Sequence, residues 1–162
     1  MSSAAEEAEE FFESFYPRLA GWCRKLVDSD SVAHEIASES FTRLWSRWTT
    51  VREPAPYLFS IAANLVKDHW RRQEREKATV RQLEVVTVDH APAADHGTDI
   101  RALVEALPGR LRVPVLLHYY ADLSVNDIAV ALHRRPGTIK SDLHAARQHL
   151  RASLRGLHET TV

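Results

Sequence analysis

With 162 residues, 44% hydrophobic and 27% charged, the chain has room for one ordinary domain or two small ones, and its composition is that of a folded, soluble protein. A single cysteine, Cys23, excludes an internal disulfide and a cysteine-based zinc cluster, and it fits a reducing compartment. The opening residues MSSAAEEAEEFF are acidic with no basic stretch ahead of an apolar one, so no secretory signal is expected. No apolar run approaches the ~20 residues that cross a bilayer, so no membrane insertion is expected either.

The net charge of −1 conceals an uneven distribution. Residues 1–50 hold five basic and nine acidic side chains, whereas residues 133–155 hold six basic ones and a single acid, Asp142. A second basic block lies at Lys67, Arg71, Arg72, Arg75 and Lys77, diluted by Asp68, Glu74 and Glu76. Positive charge is thus confined to two places, and an acidic face is left for a partner other than nucleic acid.

Apolar residues recur at helical spacing along most of the chain. Phe11, Phe12, Phe15, Leu19, Trp22 and Leu26 form one stripe, within which Pro17 is expected to bend or end the helix. The segment DSDS at 28–31 offers caps for a second helix, with Ile36, Ala37, Phe41, Leu44 and Trp45 on its inner side and Glu35, Ser38, Glu39 and Thr42 opposite. After a loop over 49–54, Pro54 and Pro56 suit the first turn of a third helix, where a missing N–H costs nothing. Residues 78–98 lose the periodicity and end in HAPAADHGT, which reads as a flexible linker; VRQLEVVTV inside it is extended or docks on a partner, since no other strand could pair with it. Helices resume at Asp99, with a kink expected at Pro114.

The C-terminal part carries the clearest chemistry. Ser124 and Asp127 resemble a capping box, opening a short helix over 124–132; His133-Arg134-Arg135 is a turn, and Pro136 opens a last helix over 136–151. Two helices joined by so short a turn, the second basic, describe a helix-turn-helix. Thr138, Lys140, Ser141, Asp142, His144, Arg147, Gln148 and Arg151 are its candidate DNA-facing residues. The leading ones would meet base edges and the later ones phosphates, with ~4–6 phosphate contacts making binding steeply salt-dependent. Asp142 is expected on that leading face, where a carboxylate repels phosphate but can accept from a cytosine amino group. The competing reading is a basic solvated helix on a small bundle. A metal enzyme is a further rival, but His90, Asp95 and His96 match no ligand spacing, and no Gly-rich phosphate loop, nucleophile elbow or HExxH is present; no metal, cofactor or catalytic residue is expected.

The segment LPGRLRVPVLLHYYADLSVNDIAVALHRRPGTIKSDLHAARQHLRA resembles region 4 of sigma-70-type factors, through Leu107-Pro108, Leu123-Ser124, Ile128-Ala129 and Gly137-Thr138-Ile139-Lys140-Ser141. Tyr57-Leu58, Ile61-Ala62, Asn64-Leu65, Asp68-His69 and Arg71-Arg72, together with AHEIASE at 33–39, resemble region 2. Two such motifs in order, flanking a linker, make the chain similar to the minimal extracytoplasmic-function sigma factors of group IV. The resemblance implies an all-α chain of two small helical domains: a region 2 three-helix bundle at 1–77, a linker at 78–98, and a region 4 helix-turn-helix at 99–158. It implies a non-enzymatic, bacterial cytoplasmic protein, associated with polymerase and nucleoid, that directs RNA polymerase to promoters. Glu35, Ser38, Glu39 and Thr42 would dock on the β′ clamp helices of core polymerase. Trp48, Asn64, Lys67, Asp68, Arg71 and Arg72 would recognise and melt the −10 element, with Tyr57, Phe59 and Trp70 as further candidate stacking walls, although Phe59 reads better as core. Region 4 would read the −35 element and dock on the β flap, and an anti-sigma factor is a common partner. The alternative is a stand-alone helix-turn-helix regulator.

The match departs from the family pattern at Ser38, at His133 where Gly is usual, at Arg135 where a Ser cap is usual, and at Asp142 and Ala145, where the basic run is interrupted. If Asp142 fronts the DNA, replacing it by Arg should increase −35-dependent transcription.

Overall fold

The computed structural model describes residues 2–83 and 100–159, which form seven helices and no strand. Helix α1 (Ala4–Leu26) starts from a capping box, in which Ser3 Oγ accepts from the Glu6 N–H and the Glu6 carboxylate accepts from the Ser3 N–H. It runs through Pro17 without ending there. Proline deprives only the Glu13 carbonyl of its helical partner, and the apolar stripe on both sides of Pro17 holds the helix to its neighbours. Helix α2 (Asp30–Trp45) is capped by Ser29 Oγ, which accepts from Val32 N–H at 3.3 Å. Helix α3 (Pro54–Leu83) begins at the expected proline.

These three helices pack into a bundle built on aromatic rings. Phe41 is 1% exposed, and its ring meets Phe12 at 5.0 Å, Trp45 at 5.6 Å, Tyr16 at 5.9 Å and Phe11 at 6.2 Å. Deeper in, Trp22 and Phe59 meet edge to face at 5.7 Å. Such pairs add ~0.5–1.5 kcal/mol beyond the burial of their area. Cys23 lies in the same core, and burial pushes its thiol up to about 12.

Helix α3 continues six residues beyond the expected domain boundary at 77, so residues 78–83 are helix rather than linker. Residues 84–88 of VRQLEVVTV, and His90, Asp95 and His96, lie outside the described residues.

The C-terminal unit comprises α4 (Ile100–Glu105), α5 (Gly109–Tyr119), α6 (Val125–Leu132) and α7 (Pro136–Glu159). Its core is aliphatic, with Val113, Leu117, Ile128, Ile139 and Ala146 each at 1% exposure or less. Pro114 is buried inside α5, which continues to Tyr119.

The two units lie against each other, chiefly α6 on α3 and α5 on α1. The Arg18 guanidinium of α1 donates to the carbonyl of Ala121 through Nε at 3.0 Å and also through Nη2. Tyr120 rests on Gly21, where any Cβ would collide with its phenol oxygen, and the Lys25 ammonium sits 4.7 Å from the Tyr120 ring centroid. Trp70 of α3 donates from Nε1 to Leu26 O at 2.8 Å and carries the Arg112 guanidinium over its ring at 4.7 Å.

Candidate nucleic-acid interface

The helix-turn-helix is closed by local devices. Ser124 Oγ accepts from Asp127 N–H at 3.1 Å. His133 ends α6 in the left-handed region, with φ 53° and ψ 44°, taking the place where glycine is the unstrained choice. The chain then turns back, with Arg134 N–H donating to Ala129 O at 3.0 Å. The free carbonyl of Arg135 starts α7 by accepting from Thr138 and Ile139 N–H.

Ile139, Leu143 and Ala146 turn inward, which leaves Thr138, Lys140, Ser141, His144, Arg147, Gln148 and Arg151 exposed on α7. A polar, cationic strip on an exposed helix face has the size and charge that a major groove accepts. Asp142 does not belong to this strip. It is 3% exposed, and its carboxylate pairs with Arg134 Nη1 at 3.2 Å and Arg110 Nη2 at 3.3 Å. Lying three residues after Ile139 and four before Ala146, position 142 turns toward the inner side, which corrects its assignment to the leading face.

On the N-terminal bundle, Asn64, Asp68, Arg71 and Arg72 are exposed along α3, and Arg71 pairs with Asp68 at 3.1 Å. Lys67 is half-buried beside the C-terminal unit. Desolvation lowers its pKa, and the positive charges of Arg134 and Arg71 lower it further. Trp48 is not a free wall: its Nε1 donates to Ala4 O at 3.1 Å and its ring packs on Phe11 at 5.4 Å. Phe59 is core, as read from the sequence, and Trp70 is taken up by Leu26 and Arg112. Tyr57 is half-buried and lines a cavity of ≈ 360 Å³ with Arg47, Val51, Pro56 and Ser60. Val130 and His133 of the C-terminal unit complete that cavity, and His133 Nε2 lies 3.2 Å from Ser60 Oγ.

Glu35, Ser38, Glu39 and Thr42 share the exposed side of α2, with Arg43 paired to Glu39 at 2.9 Å. Beside them runs a groove lined by Val32, Ile36, Leu65, His69 and Arg72. Sequence reasoning missed the buried pairing of Asp142 and the packing of Trp70 and Arg18 between the units. Only Asp142 left a local signal, its place in the inward register of α7. Among the described residues no group of three or more His, Cys, Asp or Glu could hold a metal ion, and no helix is long and apolar enough to cross a membrane.

A basic helix-turn-helix tied to an aromatic three-helix bundle with an acidic flank defines a two-part nucleic-acid-binding protein. The family model for Sigma-70 region 2 matches residues 11–76, and that for Sigma-70, region 4 matches residues 98–150. The RNA polymerase sigma-E factor of Streptomyces coelicolor is 28% identical over 153 residues, covering 91% of this chain and 86% of the relative. The ECF RNA polymerase sigma factor SigW of Bacillus subtilis is 26% identical over 153 residues, covering 83% and 82%. Among solved structures, the sigma factor RpoE in complex with the anti-sigma factor NepR from Bartonella quintana matches with a TM-score of 0.71 at 20% identity, over 91% of this chain and 96% of that one. CnrH in complex with the cytosolic domain of CnrY matches with a TM-score of 0.67 at 17% identity, over 94% and 95%. The chain belongs to the sigma-70 family of RNA polymerase sigma factors, in its extracytoplasmic-function branch. Its activity is promoter-directed initiation of transcription, not catalysis.

Proposed function

We propose that region 2, residues 1–77, holds core polymerase through Glu35, Ser38, Glu39 and Thr42 against the β′ clamp helices and opens the −10 element along α3. Region 4, residues 99–158, then reads the −35 element with the exposed side of α7 and docks on the β flap. The single observation that supports this best is the α7 strip from Thr138 to Arg151, polar and cationic throughout once Asp142 is turned inward. Asn64, Lys67, Asp68, Arg71 and Arg72 serve the −10 segment, and Tyr57 with its cavity is a better receptacle for an unstacked base than Trp48 or Trp70. Stacking a base on an aromatic ring contributes ~1–3 kcal/mol, comparable to the cost of flipping it. Val130 and His133 stand at the mouth of that cavity, so promoter opening requires α6 to leave α3. Core polymerase, by spacing the two regions on its surface, supplies the energy for that separation. An anti-sigma factor and residence in the bacterial cytoplasm, with polymerase and nucleoid, complete the reading.

Run-off transcription with purified core enzyme on genomic fragments tests it. New start sites that require this chain are expected, together with weak duplex binding by the chain alone. If the free protein instead footprints a palindrome and leaves start sites unchanged, it is a stand-alone helix-turn-helix regulator.

A further inference from the structure

We infer that Asp142 is a positioning residue for promoter recognition: it fixes the angle of α7 and neutralises Arg134 and Arg110, so that discrimination at −35 depends on a carboxylate that makes no DNA contact. The inference rests on the reading of α7 as the −35 helix.

A carboxylate at 3% exposure needs partners, since an unpaired buried charge strongly destabilises a fold. Both partners come from outside α7. Arg134 belongs to the turn, and Arg110 to the first turn of α5. Arg134 Nη1 also donates to the Arg110 carbonyl at 3.3 Å, so one guanidinium ties α5, the turn and α7 together. The apolar contacts of Ile139, Leu143 and Ala146 choose which side of α7 faces inward. A salt-bridged carboxylate is directional and fixes the angle of α7 about its axis. Each residue is ~100° of helix rotation, and base-edge hydrogen bonds tolerate only ~10–20° of misalignment.

The pairing also has an electrostatic consequence. Arg134 side-chain exposure is 22%, while that of Arg110 is 71%, beside a helix built to approach DNA. Released, both would reach for phosphates, which add affinity without sequence information. The carboxylate therefore trades general affinity for discrimination. This reverses the expectation that arginine at position 142 improves −35 use: it would place a third cation against Arg110 and Arg134 and turn all three outward.

The test uses holoenzyme and a promoter recovered by run-off transcription, compared with the same promoter carrying a scrambled −35 element. Wild type should prefer the intact element. Asp142→Asn should cut that preference about fivefold or more. It should also strengthen binding to a non-promoter duplex and steepen its log–log salt dependence by up to ~2, about 0.9 per phosphate gained. Asp142→Glu, which keeps the charge, should restore the preference to within about twofold. Should Asp142→Asn fail to fold, Arg134→Gln leaves the carboxylate paired to Arg110 and should lower the preference in the same direction. An unchanged or increased preference in the Asn or Arg variants would overturn the inference. So would a parallel loss of promoter and non-promoter binding, which marks a support of the fold and no more. Indifference of wild type to the scrambled −35 would instead overturn the assignment of α7.

Discussion

Region 2 and region 4 are held together by different means. Region 2 interlocks large rings, with Trp22, Phe41 and Phe59 fully buried and Phe11, Phe12 and Tyr16 packed around them. Region 4 has no buried aromatic among its described residues. Its core is Leu, Ile, Val and Ala, and its helices α5 and α6 are only 11 and 8 residues long. Helices that short are marginal by propensity alone. Region 4 compensates with directional devices: the Ser124 cap, the left-handed His133 and the paired Asp142. Interlocking rings dominate the core of region 2, whereas region 4 adds a buried ion pair and a left-handed turn to a thinner aliphatic core.

That comparison is testable, starting with its largest consequence. Phe41→Ala should destabilise the protein by ~4 kcal/mol, because the cavity it leaves is ringed by four aromatic side chains that cannot collapse into it. Calorimetry would register it as a marked fall in Tm. Ile128→Ala in region 4 should cost ~3 kcal/mol. If it exceeds the Phe41 effect in the same assay, the aliphatic core is the better packed of the two.

Alkaline pH should weaken region 2 through Cys23. The thiol is raised from 9.0 to about 12 in the folded protein, so its neutral form contributes stability that is fully present below pH 9.0 and is lost as pH rises toward about 12. The stability of wild type relative to Cys23→Ala should accordingly decline across that window in urea titrations. Ser124→Ala should cost ~1 kcal/mol by leaving the Asp127 N–H without its cap, and amide exchange should accelerate at α6 before α2. His133→Gly should raise stability by ~0.5 kcal/mol, since glycine adopts φ 53° without strain and the exposed contact to Ser60 is weak. A loss would show that His133 contributes more through Ser60 than its backbone costs.

Much of this was legible in the residues. Every α-helix with a sustained apolar stripe is present, Pro54 and Pro136 open α3 and α7, Phe59 is core, and His133 takes the left-handed turn. These follow from interactions within a few residues, which a linear pattern records directly. Pro17 does not end α1, because the packed stripe on either side keeps the helix continuous. Trp70 looked available for base stacking because its partners, Leu26 and Arg112, lie some forty residues away in either direction.

Most of the secondary structure, the two-unit architecture and the basic side of α7 were settled by the chain alone, because periodicity, caps and turns act between near neighbours. Which surfaces remain free was decided only in three dimensions. Region 4 lies across part of α3, and Arg110 and Arg134 draw Asp142 inward, by contacts that form only after distant helices meet. A buried carboxylate and an exposed one are the same letter in the sequence; the desolvation that separates them exists only once the fold has closed around it.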